Sequence, residues 1–353
     1  MKRVGGLWET LVSFENLHEA ARRAALGKRQ RPDVAGFLMD LETELVCLRR
    51  ELESGKYQPG PYREFLVHEA KQRLISAAPF RDRVIHHALT QVLEPVFERR
   101  FTGDSYACRV GMGVHKALER TKRAVADYPY VLKCDVRRYF ASVDHEILKR
   151  LLARVIKCKP SLDLAERIID GWNSPEETGW YFPGDNLFTP LSRRRGLPLG
   201  NQTSQFFANV YLNPLDHFVI QELRPECYIR YVDDFVLFGA SKGTLGEMKE
   251  AIEKFLEELR IGIHARKSHV RHCGEGIVFL GWRLSPGRTR LVRGNVTRFR
   301  GRLRDMRREF QHGALGRDDI QKRIQAWIGH ARCGDTWRLR RQIFAGFSLQ
   351  LGG

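Results

Sequence analysis

The run Tyr228-Ile229-Arg230-Tyr231-Val232-Asp233-Asp234-Phe235-Val236-Leu237-Phe238 sets two adjacent carboxylates between two apolar, β-prone arms. Val, Ile, Phe and Tyr favour strands, and Asp suits the tight connection between two of them. The run therefore predicts a hairpin with an Asp-Asp tip. Two carboxylates at one tip repel each other, and a hard divalent cation such as Mg²⁺ relieves the repulsion. An ordinary acidic turn has the same local sequence, so the rest of the chain decides between the two readings.

The charge balance speaks first. The chain has 353 residues, with 60 Lys and Arg against 42 Asp and Glu, a formal net charge of +18 and a sequence pI near 9.9. Such a surplus implies a polyanionic partner, for which nucleic acid is the usual choice and an anionic membrane surface the alternative. No apolar run approaches the roughly 20 residues of a membrane helix, and no basic amphipathic anchor dominates. The N-terminus lacks the apolar run of a secretory signal. Seven scattered cysteines without a Cys-x-x-Cys pair suit reduced thiols in a cytoplasm. His269, His272 and Cys273 cluster, as do His330 and Cys333, without a clean zinc-ligand spacing. The length allows a large core and two or three subdomains.

Periodicity places the elements. Two helices are expected over 8–52, broken by the basic turn Gly27 to Pro32, and Gly55 to Pro61 punctuates the chain. Strands are expected between Tyr62 and Ile75, then helices over 81–97 and 113–127. Tyr130 to Val136 reads as a buried strand ending at Asp135. Helices follow over 144–155, 162–172 and 200–215, with an irregular excursion over 173–195 that holds a hairpin around Gly184-Asp185-Asn186. After the Asp-Asp hairpin come a helix over 242–259, short strands at 261–264 and 277–284, and a basic helical tail from 286.

An α+β sheet can bring the strand end at Asp135 beside the tip at Asp233 and Asp234. Three carboxylates in one spot are what two-metal phosphoryl transfer requires, with two divalent ions roughly 4 Å apart bridging the attacking and leaving oxygens.

Here the motifs stop being independent. Asp135-Val136-Arg137-Arg138-Tyr139-Phe140-Ala141-Ser142-Val143-Asp144-His145 resembles the first palm motif of reverse transcriptases, and Tyr231-Val232-Asp233-Asp234 resembles their catalytic hairpin. Between them, Gly196-Leu197-Pro198-Leu199-Gly200-Asn201-Gln202-Thr203-Ser204-Gln205 is similar to the loop and helix those enzymes set against the nascent base pair. Lys267 follows Gly262-Ile263-His264 as the later palm lysine does, and Phe279-Leu280-Gly281 resembles the primer-grip hairpin. Upstream, Lys71-Gln72-Arg73-Leu74-Ile75 and Ser105-Tyr106-Ala107-Cys108-Arg109-Val110-Gly111 resemble the fingers motifs.

The resemblance implies an α+β right-hand polymerase: an N-terminal helical extension (1–60), fingers and a palm of antiparallel sheet plus helices (61–285), and a short basic helical thumb (286–353). It implies an RNA-directed DNA polymerase with two Mg²⁺ ions, Mn²⁺ being a possible substitute. Asp135, Asp233 and Asp234 become the catalytic residues, with Val136 added to the metal-binding set. Lys71 and Arg73 would neutralise the incoming triphosphate. Phe140 would wall off a 2′-hydroxyl so that deoxynucleoside triphosphates are preferred. Leu199 and Gly200 would approach the base pair, and Lys267 would offset or protonate the leaving pyrophosphate. Arg109, Gln205, Gly281, Arg298 and Arg302 would contact nucleic acid. Between 283 and 310 stand Arg283, Arg288, Arg290, Arg293, Arg298, Arg300, Arg302, Arg304, Arg307 and Arg308 against Asp305 and Glu309. That face suits the phosphates of an RNA–DNA duplex, recognised by its A-like shape.

One departure is informative. Most reverse transcriptases carry Gln before the loop glycine and Ser-Pro after it. Here Leu199 replaces the Gln and Ser204-Gln205 replaces Ser-Pro. The pattern resembles the reverse transcriptases of diversity-generating retroelements, which copy a structured RNA template with errors at adenines. Trp327-Ile328-Gly329-His330-Ala331-Arg332 and Asp335-Thr336-Trp337-Arg338-Leu339-Arg340 fit the same branch. The branch implies a small basic oligomeric accessory protein as partner, no membrane, and a cytoplasmic setting in a bacterium, archaeon or phage. No separate nuclease, RNase H or protease domain is expected after 285. A retron-like or phage-defence reverse transcriptase, and a catalytically silent RNA-binding scaffold, are the alternatives.

Overall fold

The structure, a computed structural model, describes residues 2–68, 72–176 and 180–347. In chain order the elements are α1 (Trp8–Val12), α2 (Phe14–Ala24), α3 (Pro32–Met39), α4 (Leu41–Glu53), β1 (Arg63–His68), β2 (Gln72–Ala77), α5 (Phe80–Glu98) and α6 (Val114–Asp127). Then come β3 (Tyr130–Asp135), α7 (Tyr139–Ser142), α8 (His145–Ala153), α9 (Lys159–Asp170), α10 (Thr189–Ser192) and α11 (Gln202–Phe218). The remainder is β4 (Cys227–Tyr231), β5 (Asp234–Gly239), α12 (Lys242–Glu258), β6 (His269–His272), β7 (Ile277–Phe279), β8 (Trp282–Ser285), β9 (Arg288–Leu291), α13 (Arg293–Gln311), α14 (Arg317–Ala331) and α15 (Trp337–Phe344).

Two compact units emerge, each discontinuous in sequence. The first takes residues 1–103, 136–222 and 251–264, and the second 104–135, 223–250 and 265–353. In the first unit α5 and α11 are the buried spine, and the antiparallel pair β1–β2 is tied to the start of α11 by Asn201, which donates to the Ser76 carbonyl. Asp144 shows how the sequence fixes this unit locally. It caps α8 by accepting from the Ile147 amide at 3.0 Å. Its other oxygen lies 2.8 Å from Arg260 Nη1 and 3.4 Å from Arg193 Nε, with Asp144 and the Arg193 side chain almost fully buried.

The second unit is built on an antiparallel sheet ordered β4-β5-β3-β6, with a separate three-stranded sheet β7-β8-β9. From Phe235 to Gly239 β5 is buried throughout, as a central strand flanked by partners on both edges should be. A core of Val131, Ile229, Val236, Phe238, Phe279 and Trp282 continues to Ala331. In α13, Phe299, Leu303, Met306 and Phe310 recur at helical spacing and form a second core with Ile320 and Ile343.

Several expectations are corrected. The first 53 residues hold four helices, because Ser13 starts a new cap for α2 and Asp40 leaves helical geometry between α3 and α4. The hairpin expected at 184–186 is absent among the described residues, and α10 follows a loop there. At 261–264 only Ile263 pairs, as an isolated bridge to Val136, since the chain reverses at Arg260 (φ +53°) just before it. Two strands went unforeseen. β6 is weak in strand formers and is made by pairing to β3. β9 alternates exposed Arg288 and Arg290 with buried Thr289 and Leu291, a period of two hidden inside a basic run. No helix among the described residues is long and apolar enough to cross a membrane.

Asp144→Ala removes the cap and the carboxylate that Arg260 and the buried Arg193 share, leaving Arg193 with Asp185 alone, so unfolding in urea should show a loss of about 3–5 kcal/mol. A loss below about 1 kcal/mol would mean that Arg193 and Arg260 carry no unpaired charge after the change.

Candidate active site

Strands β4 and β5 pair with Tyr231 opposite Asp234, which leaves Val232 and Asp233 as a two-residue turn. Val232 has φ +58°, and Asp233 stays outside the left-handed region. This is the pattern of a type II′ turn, whose first position ordinarily goes to Gly. A β-branched residue there stores about 1–3 kcal/mol of strain, which persists only where the surroundings hold it. Arg230 supplies that hold. Fully buried, it donates from Nη1 to the Val232 carbonyl and from Nη2 to Ser105 Oγ, each at 3.0 Å. Its backbone amide bonds the Asp104 carbonyl at 2.8 Å, and its carbonyl accepts from Tyr106 at 2.9 Å. A buried guanidinium is tolerated only when bonded in this way.

Strand β3 then pairs with β5 so that Asp135 stands directly opposite Asp234. Residues in that relation point to the same face with Cβ atoms about 4.5–5.5 Å apart, and like charges so placed repel. Two ammonium groups meet the carboxylates: Lys267 Nζ lies 2.5 Å from Asp135 Oδ2, and Lys133 Nζ 3.4 Å from Asp234 Oδ1. Burial pushes the Asp234 carboxyl above its ordinary value; the charge of Asp135 adds to this, while Lys133 and Lys267 oppose it.

Among the described residues no three His, Cys, Asp or Glu side chains form a ready metal cage. Mg²⁺ seldom uses one; it is held by one or two carboxylates together with water and substrate phosphates. The facing pair Asp135 and Asp234, with Asp233 at the tip, fits that hard-oxygen requirement, and the two ammoniums mark where positive charge belongs. Val136 is buried and bridges to Ile263 in the first unit.

Of the residues expected to meet the nucleotide, Arg73, Phe140, Leu199 and Gly200 lie in the first unit and Lys267 in the second. Loop 196–201 is fixed to β2: the Leu199 carbonyl accepts from the Ser76 amide at 3.1 Å, and Asn201 Nδ2 donates to the Ser76 carbonyl at 2.8 Å. Gly200 has φ +106°, and a Cβ there would come within 2.9 Å of Ile75 Cγ2. Arg73 is exposed on β2, Gln205 is exposed on α11, and Lys71 lies outside the described residues. Tyr139 is buried, whereas Phe140 is half-buried with its carbonyl accepting from Leu197 at 2.7 Å.

In the second unit Arg109 donates to the Ser105 carbonyl at 2.7 Å. Leu280 and Gly281 both have positive φ in the two-residue turn joining β7 to β8. The Gly281 carbonyl accepts from Val292 and from Asn295 Nδ2, tying that turn to the start of α13. Arg298 and Arg302 are exposed on α13. Arg230 and Lys133 were assigned no role from sequence. The signal for Lys133 was its place two residues before Asp135, on the same face of a strand.

An α+β fold with facing carboxylates at a strand end, a hairpin tip and a basic surface defines a nucleic-acid polymerase. The family model for reverse transcriptase (RNA-dependent DNA polymerase) matches residues 65–284. The chain belongs to the reverse transcriptase family, the RNA-directed DNA polymerases. It is 28% identical over 334 residues to Protein YkfC of Escherichia coli K12, covering 82% of this chain and 85% of that one. It is 26% identical over 349 residues to the group II intron-encoded protein LtrA of Lactococcus lactis subsp. cremoris, covering 80% of this chain and 56% of that one. A segment is 34% identical over 87 residues to the mitochondrial nuclear intron maturase 1 of Arabidopsis thaliana, covering 25% of this chain and 12% of that one. The chain thus spans little more than half of LtrA.

A carboxyl raised in the fold contributes stability that is full below its unfolded pKa and is lost as pH rises through the folded value. Asp234→Asn removes that loss. The metal-free variant should melt above the wild type at pH 7, with the difference vanishing below about pH 4. A lower melting point at pH 7 would show that the Lys133 contact outweighs burial.

Proposed function

We propose that this chain copies a structured RNA into DNA with two divalent ions on Asp135, Asp233 and Asp234, and that it is the error-prone enzyme of a diversity-generating retroelement. The observation that carries the chemistry is the register placing Asp135 opposite Asp234 beside the Asp233 tip. Divalent ions at these carboxylates would lower the pKa of the attacking 3′-hydroxyl and stabilise charge on the leaving pyrophosphate. On this reading residues 61–285 act as fingers and palm and 286–353 as thumb. Val136 lies with the metal ligands. Lys71 and Arg73 would neutralise the triphosphate, Phe140 would select the deoxyribose, and Lys267 would offset or protonate the leaving pyrophosphate.

The error-prone part rests on Leu199. A Gln at this position offers hydrogen bonds near the incoming nucleotide, whereas Leu offers apolar contact alone. Losing a polar contact whose partner stays unpaired costs discrimination on the order of 1–3 kcal/mol. A small basic accessory protein belongs to the same reading. A second reading is favoured by the match with the group II intron-encoded protein LtrA, which spans 80% of this chain; on it the template would be an intron RNA.

Primer extension on RNA separates these outcomes. Product should form with dNTPs and Mg²⁺ and not with rNTPs or EDTA, and Asp233→Ala should abolish it while RNA affinity changes by less than about twofold. Sequenced product should carry errors concentrated opposite template adenines, and Leu199→Gln should lower them roughly tenfold or more. Uniform, low errors in the wild type would leave the polymerase and remove the diversification claim. Arg298→Ala and Arg302→Ala should each reduce the salt slope of duplex binding by about one; an unchanged slope would take that residue off the phosphates.

A further inference from the structure

Lys133 sits on β3 two residues before Asp135, so strand alternation puts both side chains on one face. Its cross-strand neighbours are Val236 on β5 and His269 on β6, which places it within the sheet. Its side chain is 25% exposed, so the sheet covers its stem while the ammonium reaches the rim. What Lys133 holds accounts for its charge. Its Nζ donates to the Val278 carbonyl of β7 at 3.0 Å and lies 3.4 Å from Asp234 Oδ1. One side chain thus joins a hairpin carboxylate to a strand of a different sheet. From Val278 the connection continues through the Leu280-Gly281 turn to Asn295 and the first turn of α13.

The contrast with Lys267 is instructive. Lys267 also meets a carboxylate, but its side chain is 45% exposed, against 25% for Lys133. A backbone carbonyl holds Lys133 as well, so it stays when Lys267 is free to swing away.

We propose that Lys133 is a positioning residue: it fixes the Asp234 carboxylate and the β7–β8 hairpin in one geometry, and it carries the positive charge at Asp234 that a divalent cation must share. The proposal rests on the reading of Asp135, Asp233 and Asp234 as the cation-binding carboxylates. Its signature is a split between affinity and rate. Removing the ammonium removes its repulsion of a divalent ion, so the ion binds more tightly, while loss of the tether leaves the carboxylate and the hairpin unregistered and slows extension.

The test compares Lys133→Met, which keeps the apolar stem, with Lys133→Arg in the full chain. Mn²⁺ binding to the metal-free protein is read from the electron paramagnetic resonance of free Mn²⁺. Primer extension on RNA is measured at saturating Mg²⁺ and dNTPs, and melting temperature is recorded alongside. In Lys133→Met the Mn²⁺ dissociation constant should fall about three- to tenfold and kcat should drop at least about tenfold with the dNTP KM within about twofold. Lys133→Arg should restore kcat to within about threefold of wild type, since it keeps the charge and a donor. Wild-type extension by Lys133→Met overturns the proposal. So does weaker Mn²⁺ binding that tracks a lowered melting temperature without rescue by Arg, which is the mark of a merely structural lysine. A wild-type chain that extends primers yet binds no Mn²⁺ at Asp233→Ala-sensitive sites would remove the underlying carboxylate reading, whereas Asp233→Ala-sensitive Mn²⁺ binding that Lys133→Met leaves unchanged in affinity, with unchanged kcat, would remove this proposal alone.

Discussion

Asp135 and Asp234 face each other across two central strands, an arrangement that sheet pairing by itself disfavours. Much of the second unit can be understood as what makes that pairing bearable. Apolar arms on β3, β4 and β5 give the sheet enough buried surface to set the register, because a slip by one residue would turn every inward side chain outward. Lys133 and Lys267 then answer the charge from either side. A sheet with this register and without those cations would carry two unpaired acids at its rim. The cations keep the paired acids compensated within the folded sheet.

The turn beside the pair follows the same logic. Val232 adopts a conformation that a β-branched side chain avoids, and the buried Arg230 grips its carbonyl while Ser105 grips Arg230. Strain of this kind survives where neighbours over-determine it, and here the neighbours come from Asp104–Tyr106, a segment far from the hairpin in sequence. The segment matched to a fingers motif on sequence is thus also a structural support of the Asp-Asp tip.

Most of this was legible in the order of residues, and the limits were physical. The hairpin could be read because its arms are strong strand formers and its tip strong turn formers, so local and global preferences agree. The end of β3 at Asp135 was legible for the same reason. The helices over 80–98, 114–127 and 242–258 declared themselves by periodicity. What escaped was structure made by partners. His269-Val270-Arg271-His272 becomes a strand only because β3 offers an edge. Thr289 and Leu291 sit beneath arginines that made the segment look like a continuation of the basic tail. Arg230 lay within the hairpin run and Lys133 within the strand expected before Asp135, yet a sequence does not say that one cation is buried under a turn and another reaches across to β7. Burial, which decides how much a charge matters, is set by three-dimensional neighbours.

That distinction divides the surplus of +18 into two populations with different physics. Arg230 and Arg193 are enclosed, Lys133 is largely covered, and each has a defined oxygen partner, so salt in the solvent screens them less than free surface charges. Arg298, Arg300, Arg302, Arg304 and Arg308 are exposed on α13, opposite a face committed to the core by Phe299, Leu303, Met306 and Phe310. Their interaction with a polyanion draws on counterion release and weakens steeply as ionic strength rises. Raising salt should therefore strip the nucleic acid from the protein long before it disturbs the carboxylate site.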